Sequence, residues 1–299
     1  MTSINMINDW SQILEKINIE LKSDYVFASA SSIAGGDIND AYHLKTQLNN
    51  QDVSFFVKSN HSSQLSMFEA EAASLKLFNQ VKELATPKPI CLGIDRNNAF
   101  LVMTYLALTS RGEQYQLGQA IAQMHRIKAD HYGWEINNTI GATPQFNQSM
   151  DNWLDFWIEQ RYQPQLKLLK EKGRLSHSLK SKMEKLMNHL DQYFINHQPS
   201  ASLLHGDLWG GNFAFDASGK PAIYDPALYF GDRETDIAMT ELFGGFNRDF
   251  YRGYQETYPL ADSYKIRKPV YNLYHILNHA NLFGGSYIMQ AEQMAEQLI

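Results

Sequence analysis

The sequence predicts an α+β chain in two parts, a small β-rich N-terminal lobe over residues 1–106 and a larger helical C-terminal lobe over residues 107–299. Three observations predict it. Short apolar runs bounded by turn residues dominate between residues 25 and 105. Helical spacing dominates beyond residue 113, with few proline breaks. Finally, 44% of the 299 residues are hydrophobic and 19% charged, a globular composition long enough for a large core.

The elements follow in order. Trp10, Ile13, Leu14, Ile17 and Leu21 recur at helical spacing and predict an amphipathic opening helix over 8–21. Strands are expected over 25–30, 41–47 and 53–58, separated by Gly-Gly-Asp at 35–37 and Asn-Asn-Gln-Asp at 49–52. Leu65, Phe68, Ala72, Leu75 and Phe78 mark one face of a helix over 63–81, and Pro87 and Pro89 bar its continuation. Strands over 90–94 and 99–105 close the first lobe, with the boundary near 104–110. Helical patterns then cover 116–127, 150–169 and 179–194. A strand-and-loop region over 203–225 interrupts them, and helices resume over 236–243, 248–258 and 264–283.

Composition excludes several classes. The net charge of −6, from 26 basic and 32 acidic residues, argues against a sequence-blind nucleic-acid binder, which needs a basic surface. A single cysteine, Cys91, allows neither an intramolecular disulfide nor a cysteine-rich metal site. The opening residues lack a basic stretch followed by an apolar core, and no apolar run nears the roughly 20 residues that span a bilayer. The expectation is a cytoplasmic protein without membrane or nucleic-acid partners. Oligomeric state is not readable from these features.

The chemistry concentrates in residues 203–246, LLHGDLWGGNFAFDASGKPAIYDPALYFGDRETDIAMTELFGGF. Asp207 follows His205 and Gly206, Asn212 stands five residues on, and Asp225 lies thirteen beyond that in Tyr-Asp-Pro. An acid, an amide at plus five and a second acid across a hairpin are the set kinases use for phosphoryl transfer. Asp207 is the candidate base: it orients the acceptor hydroxyl and takes its proton late, because this reaction runs on positioning and charge neutralisation. Asn212 and Asp225 are candidate magnesium ligands, since Mg2+ prefers hard oxygens and shares its shell with nucleotide phosphates and water. Each residue alone reads as an ordinary loop or turn residue. The three together predict an ATP- and Mg2+-dependent kinase with a bilobal, protein-kinase-like fold.

Other residues take places by the same logic. Lys58, closing the apolar run Val-Ser-Phe-Phe-Val-Lys, would bridge the nucleotide's α- and β-phosphates. A glutamate on the next helix would hold it, and Glu71 is preferred to Glu69 because Leu75 follows four residues later on the packing side. Gly35 and Gly36 stand where a phosphate-covering loop belongs, although two glycines make no GxGxxG motif, and no P-loop motif occurs. The run 100–106 is a buried strand leading to the boundary, where the backbone of Thr104, Tyr105 and Leu106 would meet adenine. His205 and His125 read as structural. Asp236 would cap a helix and brace the loop. Trp209 could wall an acceptor pocket, and Asn278 and His279 could bond acceptor hydroxyls, although a core-facing helix explains the latter two equally well.

The chain resembles the fructosamine kinase family, within the wider aminoglycoside phosphotransferase and choline kinase-like group. The matching runs are GGDINDAYHL (35–44), FFVKSN (55–60), MFEAEAASL (67–75), FLVMTYL (100–106), IGATPQFN (140–147), DNWLDFWIEQRYQPQL (151–166), LLHGDLWGGN (203–212), YDPALYFGDRETDIAM (224–239) and LFGGF (242–246). The resemblance implies ATP-dependent phosphorylation of ketosamines on the third-carbon hydroxyl, after which elimination frees the amine. It implies deglycation of small amines or of proteins, by way of fructosamine or ribulosamine adducts. Two departures stand out: Thr104 occupies a position usually acidic in the family, and Gly210 one that is often serine. Cys91 lies outside the glycine turn, so a thiol switch in that loop is not expected. The alternative keeps the fold and changes the acceptor to an aminoglycoside, choline or a sugar. A catalytically silent binding module would be expected to lack one of Lys58, Asp207, Asn212 or Asp225, and none is missing.

Overall fold

In the computed structural model, which describes residues 7, 9–33 and 38–299, the chain groups into two compact units. One comprises Met1–Arg111 with Ala214–Tyr224, the other Gly112–Phe213 with Asp225–Ile299. The short segment 214–224 thus belongs with the β-rich part.

The first unit opens with α1 (Ser11–Leu21) and continues through β1 (Val26–Ile33), β2 (Asp40–Leu48) and β3 (Gln51–His61). Then come α2 (Leu65–Phe78), β4 (Pro89–Asp95) and β5 (Asn98–Thr104). The five strands form one antiparallel sheet in the order β1-β2-β3-β5-β4. Asn49 and Asn50 join β2 to β3 with φ of 52° and 61°, the left-handed pair that a tight hairpin requires. The two-residue period of β3 sorts its side chains. Phe55 and Val57 pack with Ile13, Ile17, Tyr42 and Leu44, whereas Phe56 packs with Phe68, Ala72 and Leu75 of α2. Lys58, two residues after Phe56, therefore shares the α2 face. It does not close the strand, because Ser59, Asn60 and His61 continue the pairing with β5. Cys91 in β4 is partly buried, and that burial pushes its thiol up to about 12.

The second unit begins with α3 (Gln114–Met124), followed by β6 (Asn138–Ile140) and β7 (Thr143–Gln145), which pair as a small hairpin. Next is α4 (Trp153–Phe156), capped by Asn152, whose side chain accepts from the amides of Leu154 and Asp155. A π-helical turn (Trp157–Tyr162) leads on to α5 (Gln163–Glu171) and α6 (His177–Asn188). β8 (Ser202–Leu204) precedes the loop that carries Asp207. β9 (Phe213–Phe215) and β10 (Pro221–Ile223) form a hairpin that from residue 214 is grouped with the first unit, and β11 (Tyr229–Gly231) of the second pairs back onto β8. The chain finishes with α7 (Glu234–Phe243), α8 (Arg248–Thr257), α9 (Tyr264–Phe283) and α10 (Ser286–Gln297). α9 runs through the core, where Tyr271 and Tyr274 meet Trp157 edge to face at 5.0 and 5.5 Å.

Four features depart from the sequence expectation. The helix expected over 150–169 starts at Trp153 and contains the π turn. The one expected over 179–194 gives way to a 3₁₀ turn (Leu190–Phe194). The β6–β7 hairpin and α10 were not expected. Among the described residues, no helix is long and apolar enough to cross a membrane.

Candidate active site

In the first unit, Lys58 Nζ donates to Glu71 Oε1 at 2.6 Å, with each side chain only 10% exposed. The pairing follows from the two periods: β3 turns Lys58 toward α2, and Glu71 sits on the α2 face that buries Phe68, Ala72 and Leu75. Glu69 is exposed. A buried ammonium needs such a partner, so the pair also fixes where the lysine head can reach. At the end of β5, Thr104 is locked to Lys88: its amide donates to the Lys88 carbonyl, and its hydroxyl accepts from the Lys88 amide, both at 2.9 Å. Tyr105 stacks on His43 at 4.0 Å, and Leu106 is partly buried. Gly35 and Gly36 lie outside the described residues.

In the second unit, the loop after β8 brings Asp207 and Asn212 together. Asn212 Nδ2 donates to the Asp207 carbonyl at 2.8 Å and to its Oδ2 at 3.1 Å. Both of these bonds use the amide nitrogen, so the side-chain oxygen of Asn212 is the atom left to face a cation. Burial pushes the Asp207 carboxyl up to about 7; the Asn212 bond opposes this, and the charges of Asp225 and Asp236 add to it. Asp225 is exposed and holds φ at 56°, a left-handed conformation that Asp tolerates better than most residues.

The loop is held from beneath. Asp236, at the start of α7, accepts from the His205 amide at 2.7 Å and the Gly206 amide at 2.9 Å. His125 Nε2 donates to the same carboxylate at 3.1 Å, and His125 Nδ1 accepts from the Tyr254 hydroxyl at 2.8 Å. Burial lowers the His125 pKa, so the ring is neutral and bonded at both nitrogens. Gly206 has φ of 82°, and a Cβ there would stand 1.9 Å from the Ala227 carbonyl oxygen, so only glycine fits. Asp236→Asn replaces one acceptor oxygen by a donor, which would face the Gly206 amide at Oδ1 or the His205 amide and His125 Nε2 at Oδ2. It is expected to cost about 3 kcal/mol of folding stability, read by urea denaturation; an unchanged midpoint would remove the bracing role.

The segment Phe243–Phe246 lies along the loop. Gly245 has φ of 97°, and a Cβ there would stand 2.5 Å from the Gly210 Cα. Phe246 packs on Phe213 with ring centroids 4.8 Å apart, and Phe243 packs on His279 at 4.6 Å with the rings tilted. The two runs HGDLWGGN and LFGGF therefore meet in space, backbone against backbone. Trp209 is 42% exposed. Asn278 is buried with Nδ2 directed at the Ile140 carbonyl, and His279 keeps partial exposure while donating from Nδ1 to the His275 carbonyl.

Sequence reasoning assigned no role to Asn138, Gln145, Asn147 or Arg161, all of which are buried.

Comparison with known proteins adds the following. A model of the fructosamine kinase family matches residues 9–299. A protein provisionally named a ketoamine kinase, from Vibrio parahaemolyticus, is 41% identical over 97% of this chain and 99% of its own. A chloroplastic protein-ribulosamine 3-kinase from Arabidopsis thaliana is 36% identical over 90% of this chain and 82% of its own. A crystal structure provisionally named a fructosamine-3-kinase, from Haemophilus somnus, superposes with a TM-score of 0.85 at 29% identity, covering 97% of each chain.

Proposed function

The chain belongs to the fructosamine kinase family and is a kinase of ketoamines, and from that premise we propose how its own residues perform the transfer. The substrate is a ketosamine, an amine carrying fructose or ribulose through an Amadori linkage, and the accepting group is the hydroxyl on the third carbon. Asp207 accepts a hydrogen bond from that hydroxyl and receives its proton as the oxygen–phosphorus bond forms. Asn212 and Asp225 would hold Mg2+, whose donors here are an amide oxygen and a carboxylate, a hard set that suits the ion. When bound, the ion neutralises phosphate charge. Lys58, held by Glu71, binds the α- and β-phosphates, and the backbone of residues 104–106 receives adenine. Gly35 and Gly36 would cover the phosphates. Trp209, Asn278 and His279 would bound the acceptor.

The product then falls apart by ordinary chemistry. Phosphate on the third carbon is a leaving group next to the carbonyl. Enolisation toward the amine-bearing carbon expels it, and hydrolysis of the resulting imine releases the amine. The observation that carries this reading is the Asp207–Asn212 pair, which joins the candidate base to a candidate metal ligand in one loop. The cytosol is the compartment that fits this reading.

The test is ATP consumption by purified protein on fructosyl-lysine and ribulosyl-lysine analogues, kanamycin and choline, with and without Mg2+. Magnesium-dependent turnover on a ketosamine alone is expected, and the two analogues rank the sugars. Turnover only on kanamycin or choline would overturn the substrate. Lys58→Met should raise KM for ATP and lower turnover by on the order of a hundredfold, because the phosphates lose their fixed cation. A normal rate at every ATP concentration would remove Lys58 from the site.

A further inference from the structure

Asp225 is exposed and left-handed, and the residues that follow it are held by buried bonds. Its φ of 56° lies in a region that costs free energy for any side chain, and such residues persist only where their surroundings over-determine them. Residues 227 and 228 supply that hold through three buried bonds. The Ala227 amide donates to the His205 carbonyl at 2.9 Å. The Ala227 carbonyl accepts from Gln145 Nε2 at 2.9 Å, and the Leu228 carbonyl accepts from Asn138 Nδ2 at 2.7 Å. Both side-chain donors come from the β6–β7 hairpin.

The hairpin amides are themselves fixed. Gln145 Nε2 also donates to Asn138 Oδ1 at 2.9 Å, and Gln145 Oε1 accepts from the Tyr274 hydroxyl of α9 at 2.8 Å. These bonds leave the Gln145 amide one orientation, with its nitrogen toward Ala227. Asn138 Oδ1 accepts a second bond from Asn147 Nδ2 at 3.1 Å, and Asn147 Oδ1 accepts from Arg161 Nη2 at 2.9 Å. Arg161 reaches inward from the π turn. Its guanidinium lies 4.0 Å from the Tyr229 ring centroid and donates to the Phe146 carbonyl at 2.6 Å. A continuous buried chain thus runs from Arg161 to the two carbonyls just past Asp225. Tight packing around charged and amide groups of this kind leaves little slack in what it holds.

We propose that Gln145 is a positioning residue for the Asp225 turn, gripping the Ala227 carbonyl so that the Asp225 carboxylate is presented to the divalent cation of the nucleotide complex. This rests on the metal reading of Asp225 given above. The same Ala227 oxygen presses against Gly206 of the catalytic loop, so one amide sets the turn's register against that loop.

The test uses the full chain and Mn2+ as the probe. Affinity for Mn2+ is measured by electron paramagnetic resonance with a non-hydrolysable ATP analogue, beside kinetics on a ketosamine. Gln145→Leu is expected to weaken Mn2+ affinity about tenfold, the cost seen when a partner behind a metal ligand is lost. It should lower turnover at limiting Mg2+, recover most of it at high Mg2+, and leave the ketosamine KM within about twofold. Tyr274→Phe removes only the hydroxyl that orients the amide and should give a smaller loss in the same direction; it carries the test if Gln145→Leu does not fold. Wild-type Mn2+ affinity in a folded variant, or a raised ketosamine KM with unchanged metal affinity, would overturn the proposal. Wild-type protein that bound no Mn2+ with nucleotide would overturn the metal reading itself, and the proposal with it.

Discussion

Asp207→Asn is expected to lower turnover by on the order of a thousandfold and to make the folded chain more stable above neutral pH. The first effect follows from removing the group that takes the hydroxyl proton. Asn can still orient the hydroxyl but cannot accept its proton, so nucleotide affinity should stay near normal. The second effect follows from the carboxyl being raised from 3.8 to about 7, chiefly by burial, with Asp225 and Asp236 adding repulsion. A carboxyl raised in the folded chain is a cost that begins as pH passes its unfolded value near 4. That cost is complete by about pH 7 and constant above. The variant removes it, so its thermal midpoint should exceed the parent's at pH 8 by a few degrees, about 2–4 °C per kcal/mol recovered, and the gap should close toward pH 4. Melting scans at both pH values, with chelator present, check this. Near-normal turnover would sink the base assignment, and an equal gap at both pH values would sink the account by burial.

Asp225→Asn is the second large effect. Asn keeps the left-handed backbone, which Asp and Asn share, so the fold should hold. The charge is lost. Affinity for the nucleotide measured with Mg2+ should fall by about a hundredfold, whereas affinity without metal should stay level or rise, because a carboxylate no longer repels the phosphates. Calorimetric titration with and without Mg2+ separates the two. Equal losses under both conditions would mean that the turn had moved, and no loss under either would remove Asp225 from the metal's shell.

The fold was legible wherever packing writes a period into the chain. α2, α9 and the strands β2, β3 and β5 bury apolar residues, and their expected positions fell within a few residues. The two-part α+β class followed from the order of those elements, and the kinase-like reading from Asp207, Asn212 and Asp225. Two elements left no such trace. α10 buries only Ala291 and Ala295, residues too small to stand out against its polar neighbours. The β6–β7 hairpin has three-residue strands whose buried positions, Ile140 apart, are the polar Asn138, Thr143 and Gln145, so no apolar alternation marks it. The candidate site was legible in its charged residues because chemistry fixes their type and spacing. Lys58 with Glu71, and Asp207 with Asn212, each meet in the structure at bonding distance. The residues that hold those groups were not legible as such, since a buttressing amide can come from any element that happens to pack there. Gly245 is an intermediate case: its motif was visible, but its reason, a Gly210 Cα that any Cβ would approach to 2.5 Å, exists only in three dimensions.

The thiol of Cys91, pushed up to about 12 by burial, has a practical consequence. At pH 7 roughly one molecule in 10⁵ carries the reactive thiolate. Maleimide and nitroxide reagents are therefore expected to react with Cys91 far more slowly than with an exposed cysteine, which labelling of the parent chain checks. Ile19→Cys and Ile195→Cys place labels at positions 69% and 70% exposed, one in each compact unit. Pulsed dipolar spectroscopy on that pair would yield the distance distribution between the two units, and its change on adding nucleotide or ketosamine would show directly whether binding draws them together.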